Sequence, residues 1–293
     1  MAINWYPGHM NKARREIAKA MPKVNLIIEV LDARIPFSSE NPLVEGLRGD
    51  TPCIKVLNKA DLADPEETDR WMAHFERQEG VSAVALNGLE KKRVKALIPL
   101  ANSLLPADRA KGKTVTTMIL GIPNVGKSTI INTLAGRVVA KTGNKPAVTK
   151  IQQRIYIGHS FSLLDTPGFL WPKLSPPSCG YKLAVTGAIR DAVVSFEDLA
   201  FYAVRVLADE YPEELKKRYK LSEVPETEME ILEAIASKRG CIGRGGIVNL
   251  QKVSELLILE FRRGSLGRVS LESPTSIAKE RERLAAEPES SKS

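Results

Sequence analysis

The sequence predicts an α/β chain: a mostly parallel sheet with helices on both faces, followed by a small all-α domain. Five short apolar runs rich in branched residues recur between turn signals, and helical periodicity separates several of them. Strands that alternate with helices belong in parallel sheets covered on both faces. After Gly168 a proline-rich stretch intervenes, and beyond it the periodicity is helical.

The first element is a short helix with Met10, Ala13, Ile17 and Met21 on one face, while Lys12, Arg15 and Lys19 point elsewhere. Residues 1–23 hold five basic side chains and one acid, Glu16. The strand candidates are Leu26–Leu31, Ile54–Leu57, Ser82–Leu86, Thr116–Leu120 and Phe161–Leu164, with helices expected over Glu66–Gln78 and Leu89–Leu104. Trp171–Gly180 contains three prolines and reads as a linker. Ser195 with Asp198 forms a capping box that opens a helix over Phe196–Asp209, and Pro212 ends it. Leu250, Val253, Leu257 and Phe261 mark one face of a later helix that Gly264 stops. From about Glu272 the chain is polar and reads as a frayed tail. The expected organisation is an α/β domain over 1–175, a helical domain over 176–271 and a flexible tail over 272–293.

Composition excludes several classes. With 43% hydrophobic and 27% charged residues the chain is globular rather than intrinsically disordered. No apolar run approaches the ~18 residues a membrane helix needs, so no membrane is expected as partner. The first residues lack the apolar block of a secretion signal, which predicts a cytoplasmic protein. Cys53, Cys179 and Cys241 are odd in number and show no ligand spacing, against both a disulfide scaffold and a zinc site. A net charge of +8 favours polyanionic partners, and nothing in the sequence demands a stable oligomer, so a monomer is expected.

Three motifs carry chemistry. Gly121-Ile-Pro-Asn124-Val125-Gly126-Lys127-Ser128-Thr129 follows a strand and opens a helix, the context a phosphate loop requires. Its glycines let backbone N–H groups surround phosphate oxygens, and the helix N-terminus adds positive charge. Lys127 is placed to reach the β- and γ-phosphates and Ser128 to ligate Mg²⁺. Asp165-Thr-Pro-Gly168 ends another strand, where the carboxylate can hold Mg²⁺ through water and the Gly168 N–H can face a γ-phosphate. Asn58-Lys59-Ala60-Asp61 ends a third. Guanine offers N1–H and N2–H₂ donors side by side, and the Asp61 carboxylate can accept both. Adenine would leave buried groups unpaired there, a mismatch that discriminates by ~10⁴ or more. Asn58 can tie the loop together, and the Lys59 stem can cover the base.

Together the motifs resemble a GTPase in which the guanine-reading motif precedes the phosphate loop, a circular permutation. With the opening Asn4-Trp5-Tyr6-Pro7-Gly8-His9-Met10, the segment Leu183–Ile189 and Lys238-Arg-Gly-Cys241, the chain resembles the YlqF/RbgA family of ribosome-biogenesis GTPases. The fold that follows is a circularly permuted P-loop GTPase domain ahead of the helical domain. The resemblance implies GTP hydrolysis that assists a late step of large-subunit assembly, with GTP or GDP, Mg²⁺ and K⁺ as ligands. The implied partners are the large ribosomal subunit precursor and its rRNA. It also implies that Thr149 is the switch threonine on Mg²⁺, that Asn124 matches a potassium ligand, and that Val84 and Ala85 lie in the base-closing loop. In that family Ala147 is usually glycine and the base-closing loop usually carries a serine, which this chain lacks.

Many GTPases place a water-orienting Gln after the DxxG glycine, but here that position is Phe169. Of the three histidines, His74 reads as a surface residue and His159 as part of a turn. From chemistry alone His9 caps or docks the first helix; the resemblance assigns hydrolysis to it. Residues 137–154 hold five basic side chains and no acid, and residues 236–268 hold seven against two, around a glycine-rich turn at 240–246. Either run is a solvated face or a surface for structured RNA. Two other functions fit parts of the pattern: a constitutive RNA-binding protein with a structural nucleotide, and a metabolic P-loop phosphotransferase, against which the NKAD motif argues.

Overall fold

The computed structural model describes residues 9–106, 114–140, 153–171 and 174–286, with side chains from Arg15 onward. Among the described residues six strands form one sheet: β1 (Leu26–Asp32), β2 (Cys53–Asn58), β3 (Val81–Leu86), β4 (Val115–Gly121), β5 (Gln153–Ile157) and β6 (Phe161–Asp165), in the order β3-β2-β1-β4-β6-β5. All neighbours are parallel except β5, which pairs antiparallel with β6. The five predicted runs lie inside the five parallel strands. Strands β1, β2, β4 and β6 are buried at every position, which is why they read as continuous apolar runs. Strand β5 escaped prediction because only Ile155 of its five residues is buried, as suits an edge.

Helices α1 (His9–Ala20), α2 (Pro36–Ser39), α3 (Pro42–Arg48), α4 (Pro65–Phe75), α5 (Lys91–Lys95), α6 (Leu97–Ser103) and α7 (Lys127–Ala135) connect and flank the strands. Asp64 caps α4 by accepting from Glu66 N–H at 2.8 Å. The single helix expected over 89–104 is two short ones that meet at Ala96. Pro99 has no N–H to continue the ladder from α5, so the helix restarts.

The remaining helices are α8 (Ser178–Val185), α9 (Phe196–Glu210), α10 (Pro212–Tyr219), α11 (Glu228–Arg239), α12 (Leu250–Arg263) and α13 (Pro274–Ala286). Ser195 accepts from the Asp198 N–H at 3.2 Å, which is the N-cap half of the expected capping box; the reciprocal bond is absent, because the Asp198 side chain is shorter than the usual Glu. Pro212 opens α10 besides closing α9, a position where its missing N–H is harmless. The linker is shorter than expected, because α8 begins at Ser178 and Cys179 is already buried.

The tail expected from Glu272 is instead folded through Ala286. Glu272 is buried, and its carboxylate accepts from Ser38 N–H (2.9 Å) and Ser38 Oγ–H (2.6 Å) and pairs with Lys182 at 3.3 Å. Its carbonyl accepts from the Trp71 indole at 3.2 Å. Ser178 donates to Glu280 at 2.7 Å, and Ile277 is the buried apolar residue of α13. The anchors are mostly polar, an ion pair and several hydrogen bonds, so hydrophobic periodicity does not reveal them. Residues 272–286 thus strap the α/β and helical parts together. Among the described residues no helix is long and apolar enough to cross a membrane.

Candidate functional site

β1 lies between β2 and β4, with Asp32 level with Asn58 and Val30 level with Gly121. The NKAD loop and the phosphate loop therefore leave the same, carboxyl end of the sheet, where open α/β sheets bind ligands. The phosphate loop bends through Asn124 (φ 60°) and Gly126 (φ 94°), and α7 opens at Lys127 with its amides facing the loop.

Asn58 joins the two loops. It is buried, its Nδ2 donates to the Val125 carbonyl at 2.8 Å, and its Oδ1 accepts from the Gly88 N–H at 2.8 Å. A Cβ on residue 126 would lie 2.1 Å from Asn58 Nδ2, so glycine is needed there for space as well as for its left-handed backbone. The loop tie expected of Asn58 thus runs across to the phosphate loop. Lys59 has φ 60° and donates to Asp32 Oδ2 at 2.8 Å, and Asp61 is exposed in the turn that follows.

On the other side of β1, the buried Lys127 ammonium rests on Asp165 Oδ1. Burial lowers the Lys127 pKa, and the Asp165 carboxylate partly offsets this. Asp165 is fully buried, and its Oδ2 has no hydrogen-bond partner among the described residues. An orphaned carboxylate oxygen beside the mouth of a phosphate loop fits a divalent cation reached through water. Ser128 and Thr129 are half-buried on the first turn of α7. Thr166 Oγ1 donates to the Ile119 carbonyl at 2.8 Å, and Gly168 packs so closely on the phosphate loop that a Cβ would lie 3.1 Å from Pro123 N. The two halves of the phosphate site are therefore in contact. Phe169, Leu170 and Trp171 are all buried, so none of these side chains can orient an attacking water.

Asn124 Nδ2 donates to the Gly187 carbonyl at 2.8 Å, joining the phosphate loop to the end of α8. Val84 and Ala85, expected in the base-closing loop, instead lie half-buried within β3, where they pair with Val56 and Leu57; the residue beyond that strand that meets Asn58 is Gly88. Its signal was an Asn-Gly pair directly after the strand. Asp32 was also missed, although a carboxylate ending a parallel strand beside the NKAD strand could have marked it. Thr149 and the His9 side chain lie outside the described residues; the His9 backbone opens α1. His74 is exposed, edge-on to Trp71 at 5.3 Å, and His159 is exposed in the turn between β5 and β6.

A model of the 50S ribosome-binding GTPase family matches residues 116–235, a span that opens at the phosphate-loop strand and leaves Asn58–Asp61 ahead of it. The chain is 44% identical to ribosome biogenesis GTPase A of Bacillus pumilus over 283 residues, covering 94% of this chain and 100% of the relative. It is 34% identical to mitochondrial ribosome-associated GTPase 1 of Ictalurus punctatus, covering 92% of each. The solved GNP-bound YlqF from T. maritima superposes with a TM-score of 0.65 at 28% identity, covering 90% of this chain and 98% of that one. The guanine motif lies ahead of the phosphate loop in sequence and against it in space, and relatives match along nearly the whole chain. It is a circularly permuted GTPase and belongs to the ribosome biogenesis GTPase A family.

Proposed function

We propose that this GTPase is a switch that docks on the maturing large ribosomal subunit, assists a late step of its assembly and leaves after hydrolysis, working as a cytoplasmic monomer. The observation that carries the reading is the Asn58 bridge, which makes a base-reading loop and a phosphate-reading loop one site. Asp61 accepts from the guanine N1–H and N2–H₂, the Lys59 stem covers the base, and Val84 and Ala85 flank the base-closing loop. Backbone amides from Asn124 to Thr129 surround the phosphates. Lys127 exchanges Asp165 for the β- and γ-phosphates, one anionic partner for another.

Ser128, Thr149 and, through water, Asp165 would hold Mg²⁺, which would supply positive charge against the β- and γ-phosphates. The Asn124 side chain would ligate K⁺. The Gly168 N–H faces the γ-phosphate. With Phe169 buried, the water-orienting group comes from elsewhere, and His9 takes that role by swinging toward the γ-phosphate when a partner orders the switch loops.

The helical part supplies the grip on rRNA. Around the glycine turn that the Ile242–Val248 bridge closes, Arg244 is exposed, and Ile242 and Ile247 are 40% and 73% exposed. A backbone turn flanked by Arg suits phosphate contacts on structured RNA. Relatives named for ribosome biogenesis and ribosome association support this partner. Co-sedimentation with large-subunit precursors tests the reading under a non-hydrolysable GTP analogue, GDP and no nucleotide. Binding should be strongest with the analogue; equal binding in all three conditions would overturn the switch.

A further inference from the structure

Asp32, at the end of β1, is buried and holds two cations at once. Its Oδ2 accepts from Lys59 Nζ at 2.8 Å and from Arg34 Nη2 at 2.8 Å, and its Oδ1 accepts from Arg34 Nε at 2.9 Å. The fully buried Arg34 reaches on into the helical part: its Nη1 donates to the Phe261 carbonyl at 3.3 Å, and its guanidinium lies 5.1 Å from the Phe261 ring centre. Phe261 belongs to α12, and the next residue, Arg262, donates to the Ala184 and Val185 carbonyls at the end of α8. One carboxylate is therefore shared between the lysine of the guanine loop and an arginine seated in the interface with the helical part.

Burial alone would raise the Asp32 pKa, but Arg34 and Lys59 hold it well below the ordinary carboxylate range. A buried charge is costly to leave unpaired, so the three groups respond to displacement as a unit. Lys59 has a left-handed backbone and a side chain that is only 25% exposed, so the turn and Asp32 together fix its direction.

We propose that Asp32 is a positioning residue for guanine binding: it aims Lys59 at the base and, through Arg34, makes that aim depend on how α12 is seated. This rests on the reading of Lys59 as the residue that covers the base. The helical part and the nucleotide then influence each other through this carboxylate, and the same coupling acts in both directions.

The test is a double-mutant cycle read as equilibrium GDP affinity of the full chain, with thermal melting run on each variant. Asp32→Asn should weaken GDP binding about tenfold when Lys59 is present and less than about twofold in a Lys59→Met background, because contacting residues are non-additive. Equal losses in both backgrounds would make Asp32 a structural residue only and overturn the proposal. Phe261→Leu keeps the test open should Asp32→Asn fail to fold. It removes the ring under Arg34 from the other side of the interface, and should weaken GDP binding about threefold with Lys59 and not in Lys59→Met. The same loss in both backgrounds again overturns the coupling. If Lys59→Ala alone, which removes the stem, leaves GDP affinity unchanged, the base-covering role fails as well, which separates that failure from failure of the coupling.

Discussion

Replacing Asn58 with alanine tests the junction between the NKAD loop and the phosphate loop. The substitution removes the donor to the Val125 carbonyl and the acceptor for the Gly88 N–H, and Val125 and Gly88 are both buried. Each backbone group left unpaired costs about 1–3 kcal/mol, so the loss is about 2–6 kcal/mol. In a chain of this size that is a fall in melting temperature of roughly 3–10 °C. Gly126→Ala provides the second arm. Its Cβ would sit 2.1 Å from Asn58 Nδ2, on a residue whose φ of 94° also costs a side chain about 1–2 kcal/mol. In the Asn58→Ala background the clash is gone and only the backbone strain remains. Urea unfolding of the nucleotide-free protein should therefore show the double variant losing about 1–3 kcal/mol less than the sum of the singles. Strict additivity, or an Asn58→Ala protein as stable as the parent, would refute the bridge.

Three further outcomes follow from other parts of the fold. Burial pushes the Cys53 and Cys179 thiols up to about 12, and Cys241 is buried too, so a thiol reagent at pH 8 should label the native protein at less than one equivalent and the unfolded chain at three. Glu272→Ala strips Lys182 and Ser38 of their shared buried partner and should destabilise by about 3 kcal/mol, seen as a lower urea midpoint. Asp32 has its folded pKa depressed, so its stabilisation is complete above about pH 4 and is lost as pH falls below that. The slope of stability against pH in that acid range should shrink in Asp32→Asn.

What could be read in the sequence follows from what each residue contacts. The buried strands β1, β2, β4 and β6 show themselves as apolar runs because both of their faces are covered. The motif residues Asn58, Lys127 and Asp165 are legible because their chemistry fixes both type and spacing, and the structure brings the loops that carry them together. Strand β5 is hidden because its edge position tolerates Gln153, Arg154 and Tyr156. Gly88 is hidden because its part is a single backbone N–H offered to a residue 30 positions away. The strap from Glu272 to Ala286 looks like a tail because its anchors are carboxylates that meet Ser38, Lys182 and Ser178 across the fold, and no periodicity along the chain announces such pairs.

The base preference of Asp61→Asn tests the guanine-reading site most directly. Xanthine carries a carbonyl where guanine carries its 2-amino group, so an amide at position 61 can accept from N1–H and donate to the xanthine carbonyl, whereas it cannot accept from both guanine donors. Equilibrium binding should show GDP affinity falling by roughly a hundredfold or more and xanthosine diphosphate affinity rising by a similar factor. An Asp61→Asn protein that still prefers GDP over xanthosine diphosphate would contradict the account.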